Sequence, residues 1–200
     1  MRTPIVAFVS SVALLVACSG ALESAGPGKI DTGSNLVVSA AVSGLTLGDE
    51  GCAATAGAPA SRAPAADCAE PAPGMAPGSG CGGWVCRPSS VQIAITAEGT
   101  GAATKIEVVR VTLLESDDKE LQDLAASSPR QWTESGYAAF SGSVGAGANL
   151  KTMWSLEAPT WSKHGASYTK QYKVRITLKA GSGTTTVDSE LVSREAPVAT

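Results

Sequence analysis

The chain has 200 residues, a net charge of −3 (15 Lys and Arg against 18 Asp and Glu), and 44% of its residues in the hydrophobic class, 33 of them alanine. Setting aside alanine and the nine large apolar residues of positions 1–17 leaves 45, five of them cysteine. That excludes two large domains, a multi-span membrane protein and a long coiled coil, and it weighs against an enzyme with a deep, walled pocket. The balanced charge and the lack of a long basic stretch give no expectation of a nucleic-acid partner.

Residues 1–18 carry the most specific signal. Arg2 makes a short positive region, and Pro4 to Ala17 is uncharged and mostly apolar. This run is too short to span a bilayer, which needs about 20 apolar residues, but it fits the apolar region of a secretory signal. It ends in Leu15-Val16-Ala17-Cys18, which resembles the lipobox of bacterial lipoproteins. The resemblance implies that the Cys18 thiol takes a diacylglycerol and that residues 1–17 are removed as a signal peptide. The new amine is then acylated, and several acyl chains make the attachment effectively permanent. The competing reading is an ordinary cleavage site with Cys18 free or disulfide-bonded. Removal of residues 1–17 takes away one cation, Arg2, and leaves 14 Lys and Arg against 18 Asp and Glu, a net −4. Ser19, rather than Asp, follows the cysteine and favours the outer membrane over the inner. Residues 18–34 are then expected to be the lipidated cysteine and a flexible tether, reaching about 20–24 Å.

Asn35 to Leu47 reads as a strand through Leu36, Val37, Val38, Ala40, Val42 and Leu45. It is followed by an excursion over 49–88. From Asp49 to Gly83, 23 of 35 residues are Ala, Gly or Pro, and the one large apolar residue besides the cysteines is Met75. Such a stretch buries too little to offset its ordering entropy. It holds Cys52, Cys68, Cys81 and Cys86, an even number in an exported chain, so two disulfides of unspecified pairing are expected to staple it. With no C-x-x-C and His164 as the sole histidine, a structural zinc site is not expected. No metal or other cofactor is called for elsewhere.

From Ser89 the pattern becomes that of short strands. Val91, Ile93, Ile95 and Ala97 alternate with polar or small residues, and Gly99-Thr100-Gly101 breaks the run. Lys105 to Leu114 is β-branched and apolar, but its phase slips between Val108 and Val109, which implies a bulge or burial on both faces. Ser116-Asp117-Asp118 is a turn, and the segment to Leu124 suits a strand or one helical turn. A weaker strand covers Trp132 to Phe140. Another covers Ala148 to Leu156, with Ala148, Leu150, Thr152, Trp154 and Leu156 on one face. Gln171 to Lys179 points Tyr172, Val174, Ile176 and Leu178 inward. After the turn Ala180-Gly181-Ser182-Gly183, Thr184 to Val192 returns with Val187 and Leu191 inside. Several short strands, Gly-rich turns and no long helix argue for an all-β antiparallel sandwich over 35–200.

Tyr172-x-Val174-x-Ile176, the glycine-rich turn and Ser189-Glu190 resemble the last hairpin of immunoglobulin-like and fibronectin type III-like domains, over roughly 25 residues. The resemblance implies that Tyr172 is a corner tyrosine whose hydroxyl bonds backbone. Val174 stands where an antibody domain has cysteine, so the domain would be of the type without an inter-sheet disulfide. A fold of this kind implies no function.

No G-x-S-x-G, H-E-x-x-H or phosphate-loop motif occurs, and His164 lies alone in the loop Trp161-Ser162-Lys163-His164-Gly165. Glu115, Asp117, Asp118, Glu120 and Asp123 cluster around one turn, as a solvated charged turn or a weak Ca²⁺ site. Trp161 and Tyr168 either cap the end of the sandwich or, with Trp132, form an aromatic platform for a ligand. The sequence therefore describes an exported, lipid-anchored, non-enzymatic envelope protein that binds or builds, its partners the membrane and envelope proteins or glycans. The alternative is a carbohydrate- or peptidoglycan-binding module using the loop aromatics.

Overall fold

The computed structural model describes residues 26–50, 84–85, 87–165, 167–196 and 198–199. Cys18, Cys52, Cys68, Cys81 and Cys86, and with them the lipidation and disulfide expectations, lie outside the described residues. The strands in chain order are β1 (Gly28–Asp31), β2 (Leu36–Thr46), β3 (Trp84–Val85), β4 (Ser90–Gly99), β5 (Thr104–Glu115), β6 (Glu120–Asp123), β7 (Ala126–Thr133), β8 (Gly136–Ala139), β9 (Ser143–Val144) and β10 (Asn149–Leu156). A single helical turn, α1 (Trp161–His164), precedes β11 (Gln171–Ala180), β12 (Gly183–Asp188), β13 (Val192–Ser193) and β14 (Val198–Ala199).

Two antiparallel sheets form the body. One has the order β1-β2-β4-β10-β7-β8, and the other has β12-β11-β5-β6 with β13 on β11 and β9 on β5. The short β3 and β14 pair with each other. The all-β, two-sheet expectation holds. The reason is the period-two pattern: each sheet turns alternate apolar residues to one shared core. Leu36, Val38, Ile93, Ile95, Trp154 and Leu156 enter it from the first sheet, and Ile106, Leu113, Tyr172, Val174, Ile176 and Leu178 from the second. Segment 35–47 belongs to this body, since β2 pairs with β4 from Leu36↔Gly99 to Thr46↔Ser90. Gly99 closes that ladder at φ 115°, and a Cβ there would lie 2.1 Å from the Asn35 carbonyl oxygen, so only glycine fits.

The phase slip in β5 is a bulge. Thr177 of β11 faces Arg110 while Leu178 faces Val108, leaving Val109 as the extra residue, 57% exposed. Three expectations are corrected, and the choice left open after Asp118 falls to the strand. Gly28–Asp31, assigned to the tether, is a strand with Ile30 buried, so the folded body begins before Asn35. The segment after Asp118 is strand β6, held to β5 by Leu113↔Gln122. Trp132 to Phe140 is not one strand. It turns at Glu134-Ser135, with Gly136 at φ 115°, into the β7–β8 hairpin. Finally, the return strand breaks after Asp188. Arg175 faces Asp188 but Tyr172 faces Val192, one residue further than an unbroken ladder would set it. That slip turns Leu191 outward, to 39% exposure, instead of into the core. Ser189 causes it: its hydroxyl accepts the Val174 N–H at 2.9 Å and donates to the Glu190 carbonyl at 2.8 Å, taking the place of a ladder bond.

Candidate functional site

Of the two readings of the loop aromatics, the geometry of Trp161 fits the cap and not the platform. Trp161 is 2% exposed. Its indole N–H donates to the Gly48 carbonyl at 2.8 Å, and its ring packs on Tyr172 with centroids 5.1 Å apart. The α1 turn, ended by Gly165 in the left-handed region, presents this ring to the core rather than to solvent. Trp161 therefore caps the end of the two-sheet body. Tyr168 stays 44% exposed, but the Arg194 guanidinium covers one face at 4.3 Å from the ring centroid. Its hydroxyl donates to Asp49 at 3.1 Å, and Arg194 bonds the same carboxylate at 2.7 Å. Glu50 accepts from the Ser162 N–H and hydroxyl at 3.0 and 2.9 Å. These contacts fix the point at which the alanine- and proline-rich segment leaves the body. Tyr172 is buried as a corner tyrosine should be, but among the described residues its hydroxyl has no hydrogen-bond partner, so the implied bond to backbone is not made.

The five carboxylates around the β5–β6 turn are largely matched by cations. Asp118, itself at φ 69°, meets Lys173 at 2.9 Å and Arg175 at 2.9 Å. Glu120 and Asp123 share Arg110, and Glu115 faces Lys170. Lys173 in first place, with Arg175, holds the Asp118 carboxyl below the usual carboxylate range. The Thr112 hydroxyl (2.8 Å), then Arg110 (2.9 Å), does the same for Asp123. Arg175 is raised above the ordinary guanidinium value, chiefly by its paired bonds to Asp188. Oxygens spent on cations are poor ligands for Ca²⁺, and among the described residues no group of three or more His, Cys, Asp or Glu side chains is placed to hold a metal. His164 is half-buried beside Gln122, 3.3 Å from its side-chain oxygen, with no nucleophile in that contact. A groove of about 320 Å³ runs between β2 and the segment 189–192, lined by Val42, Leu45, Val192 and, as its one ionisable group, Glu190. It offers no acid–base pair.

Trp132, the third expected platform residue, stands apart from the other two. It lies on β7 in the first sheet, 55% exposed, with Tyr137 across the hairpin in edge contact at 5.1 Å. The sequence placed Trp161 and Tyr168 in a loop and Trp132 at the start of a strand, and nothing local separates a ring whose indole finds a carbonyl 113 residues away from one that stays free. No family model, curated protein or solved structure matches the chain.

Proposed function

We propose that this chain is an exported lipoprotein whose body is an immunoglobulin-like, non-enzymatic module, anchored through Cys18 and presenting its surfaces to envelope partners. The observation that carries the anchor is the run Leu15-Val16-Ala17-Cys18 closing an uncharged, apolar segment. The body begins at Gly28, ten residues after Cys18. A coil of that length reaches roughly 17 Å, which keeps the module close to the membrane surface. With Ser19 after the lipidated residue, the outer membrane is the proposed destination.

Strand order supports the immunoglobulin-like reading. Lettering β2, β4, β5, β6, β7, β10, β11 and β12 as A, B, C, C′, D, E, F and G makes the sheets A-B-E-D and G-F-C-C′. Val174, fully buried on β11, takes the position of the absent cysteine, two residues after Tyr172. The four remaining cysteines are proposed to pair as two disulfides within the excursion.

The test is metabolic labelling with palmitate. The wild type is expected to label and to stay with the membrane fraction, and Cys18→Ala is expected to lose both. Unchanged labelling of Cys18→Ala would falsify the anchor.

A further inference from the structure

We propose that the outer face of the first sheet, at Trp132, binds an acidic, uronate-bearing polysaccharide, with the indole stacked on a sugar ring and Lys151 and Arg130 meeting its carboxylates. This rests on reading the chain as an exported binding module, and it names the partner chemistry of one surface. The ladder registers place the residues. Thr152 of β10 is fully buried, so its neighbours Lys151 and Met153 face outward. Lys151 pairs with Ala94, and Ala94 with Ala41. Met153 pairs with Arg130 and with Gln92. Arg130 pairs with Ala139, and Trp132 with Tyr137.

The outer face thus has a low floor of Ala41 and Ala94 and, at its β7–β8 side, one tall aromatic wall. Asn149 and Gln92, both exposed, set amides beside that floor. A shallow alanine floor edged by amides, with one standing ring, suits a pyranose. The apolar face of the sugar lies on the indole, and its hydroxyls meet the amides. The edge contact with Tyr137 holds the indole in place beforehand, which lowers the ordering cost of binding.

Charge selects the acidic class. On the opposite sheet four cations are neutralised in place, Lys105 by Glu107, Arg110 by Asp123, Lys173 by Asp118 and Arg175 by Asp188, and Lys179 is the one that has no ion pair among the described residues. Lys151 and Arg130 have no carboxylate within ion-pair distance among the described residues. Neither Glu98, at the end of β4, nor Glu134, in the hairpin turn, reaches them. Arg130 is oriented by a bond from its guanidinium to the Tyr137 carbonyl, which keeps it beside the ring pair. A chain of net −3 that leaves Lys151 and Arg130 without a carboxylate partner beside an exposed tryptophan has a surface complementary to a carboxylated sugar.

The full chain, purified in detergent micelles, is run in affinity gels containing alginate, hyaluronate, neutral dextran or single-stranded DNA. Alginate or hyaluronate is expected to retard it and dextran is not. Trp132→Ala is expected to weaken binding about tenfold with unchanged circular dichroism, as a lost stacking ring should. Lys151→Gln is expected to weaken it about threefold, and raising NaCl to about 0.5 M to weaken it further. The proposal is overturned if neither uronate polymer retards the chain or if dextran binds as well. It is equally overturned if Trp132→Ala binds like the wild type, or if DNA retards all variants equally, since that is plain charge attraction. Palmitate labelling at Cys18 is read separately, so failure of the anchor and failure of this surface cannot be confused.

Discussion

Replacing Trp161 separates a ring that holds the fold from a ring that holds a ligand. In Trp161→Ala a fully buried indole is lost from the cap over Tyr172, at a cost of about 3–5 kcal/mol for a large aromatic truncated in a core. Part of that is polar: the Gly48 carbonyl, bonded at 2.8 Å, is left without its donor. Trp161→Phe keeps most of the apolar contact and removes the N–H, so about 1–2 kcal/mol is expected from the hydrogen bond alone. Against a total stability of about 5–15 kcal/mol, the alanine variant loses a large fraction. With a urea slope near 2 kcal/mol/M, its midpoint should fall by roughly 1.5–2.5 M, and that of the phenylalanine variant by about 0.5–1 M. Urea unfolding followed by circular dichroism measures both, with exposed Trp132→Ala as the reference, expected within about 0.5 kcal/mol of wild type. A Trp161→Ala variant within about 1 kcal/mol of wild type would refute the capping role and return the ring to the candidate ligand contacts.

Two further outcomes follow from single side chains. Ser189→Ala leaves the buried Val174 N–H without its acceptor and should cost about 1–3 kcal/mol in the same assay; a neutral result would mean that the backbone closes the break without the hydroxyl. Asp123 has its folded-state pKa depressed by Thr112 and Arg110, so its contribution is present above the ordinary carboxylate pKa, near 4, and is lost as pH falls through the lower folded value. Asp123→Asn should therefore flatten the acid limb of stability against pH and leave its shape near neutrality unchanged. An acid limb as steep as that of the wild type would remove this carboxylate from the account.

The strands that the sequence makes plain are those whose inward faces are read by alternation alone. In β4 and β11, four inward apolar residues stand against polar neighbours, and no other arrangement buries them. The phase break at Val109 is also legible, because an extra residue must break a two-residue period, but the sequence leaves a bulge and burial on both faces as alternatives and the pairing with β11 decides for the bulge. β1 is not legible, since four residues give one inward apolar side chain, Ile30, and one residue has no period. The β7–β8 turn at Glu134-Ser135 hides for a different reason: Trp132, Tyr137 and Phe140 make the flanking run look apolar, whereas Trp132 is in fact exposed. Leu191 is misplaced, and Trp161 is left between cap and platform, because non-local bonds decide both. Ser189 shifts the register of one, and Gly48 anchors the other across 113 residues. The same limit applies to ligand chemistry. Trp132, Lys151 and Arg130 come onto one face through the pairing of β7 with β10, in which Arg130 faces Met153 of a strand that lies beyond an intervening hairpin, and no spacing rule joins them.

The interruption between β2 and β4 shows why a composition-based boundary can survive a long insertion. Thr46 pairs with Ser90 across about 43 intervening residues, and the Gly48 N–H donates to the buried Ser89 hydroxyl at 2.9 Å, so the departing and returning chains lie side by side. Asp49 and Glu50 are fixed on one side of this point by Arg194 and Ser162, and Arg87 on the other by Glu195 at 3.4 Å. Closing a loop of that length instead of a four-residue turn costs about 2 kcal/mol in chain entropy, because the penalty grows only with the logarithm of length. The β2–β4 ladder, with Leu36, Val38, Ala40, Val91, Ile93 and Ile95 all buried along it, exceeds that cost several times over at about 1–3 kcal/mol for each large buried side chain. A segment with almost no core-forming residues can thus be carried between two adjacent strands of a small two-sheet body, provided that its two ends are held together. Here the contacts of Gly48, Asp49, Glu50 and Arg87 do that independently of any cysteine.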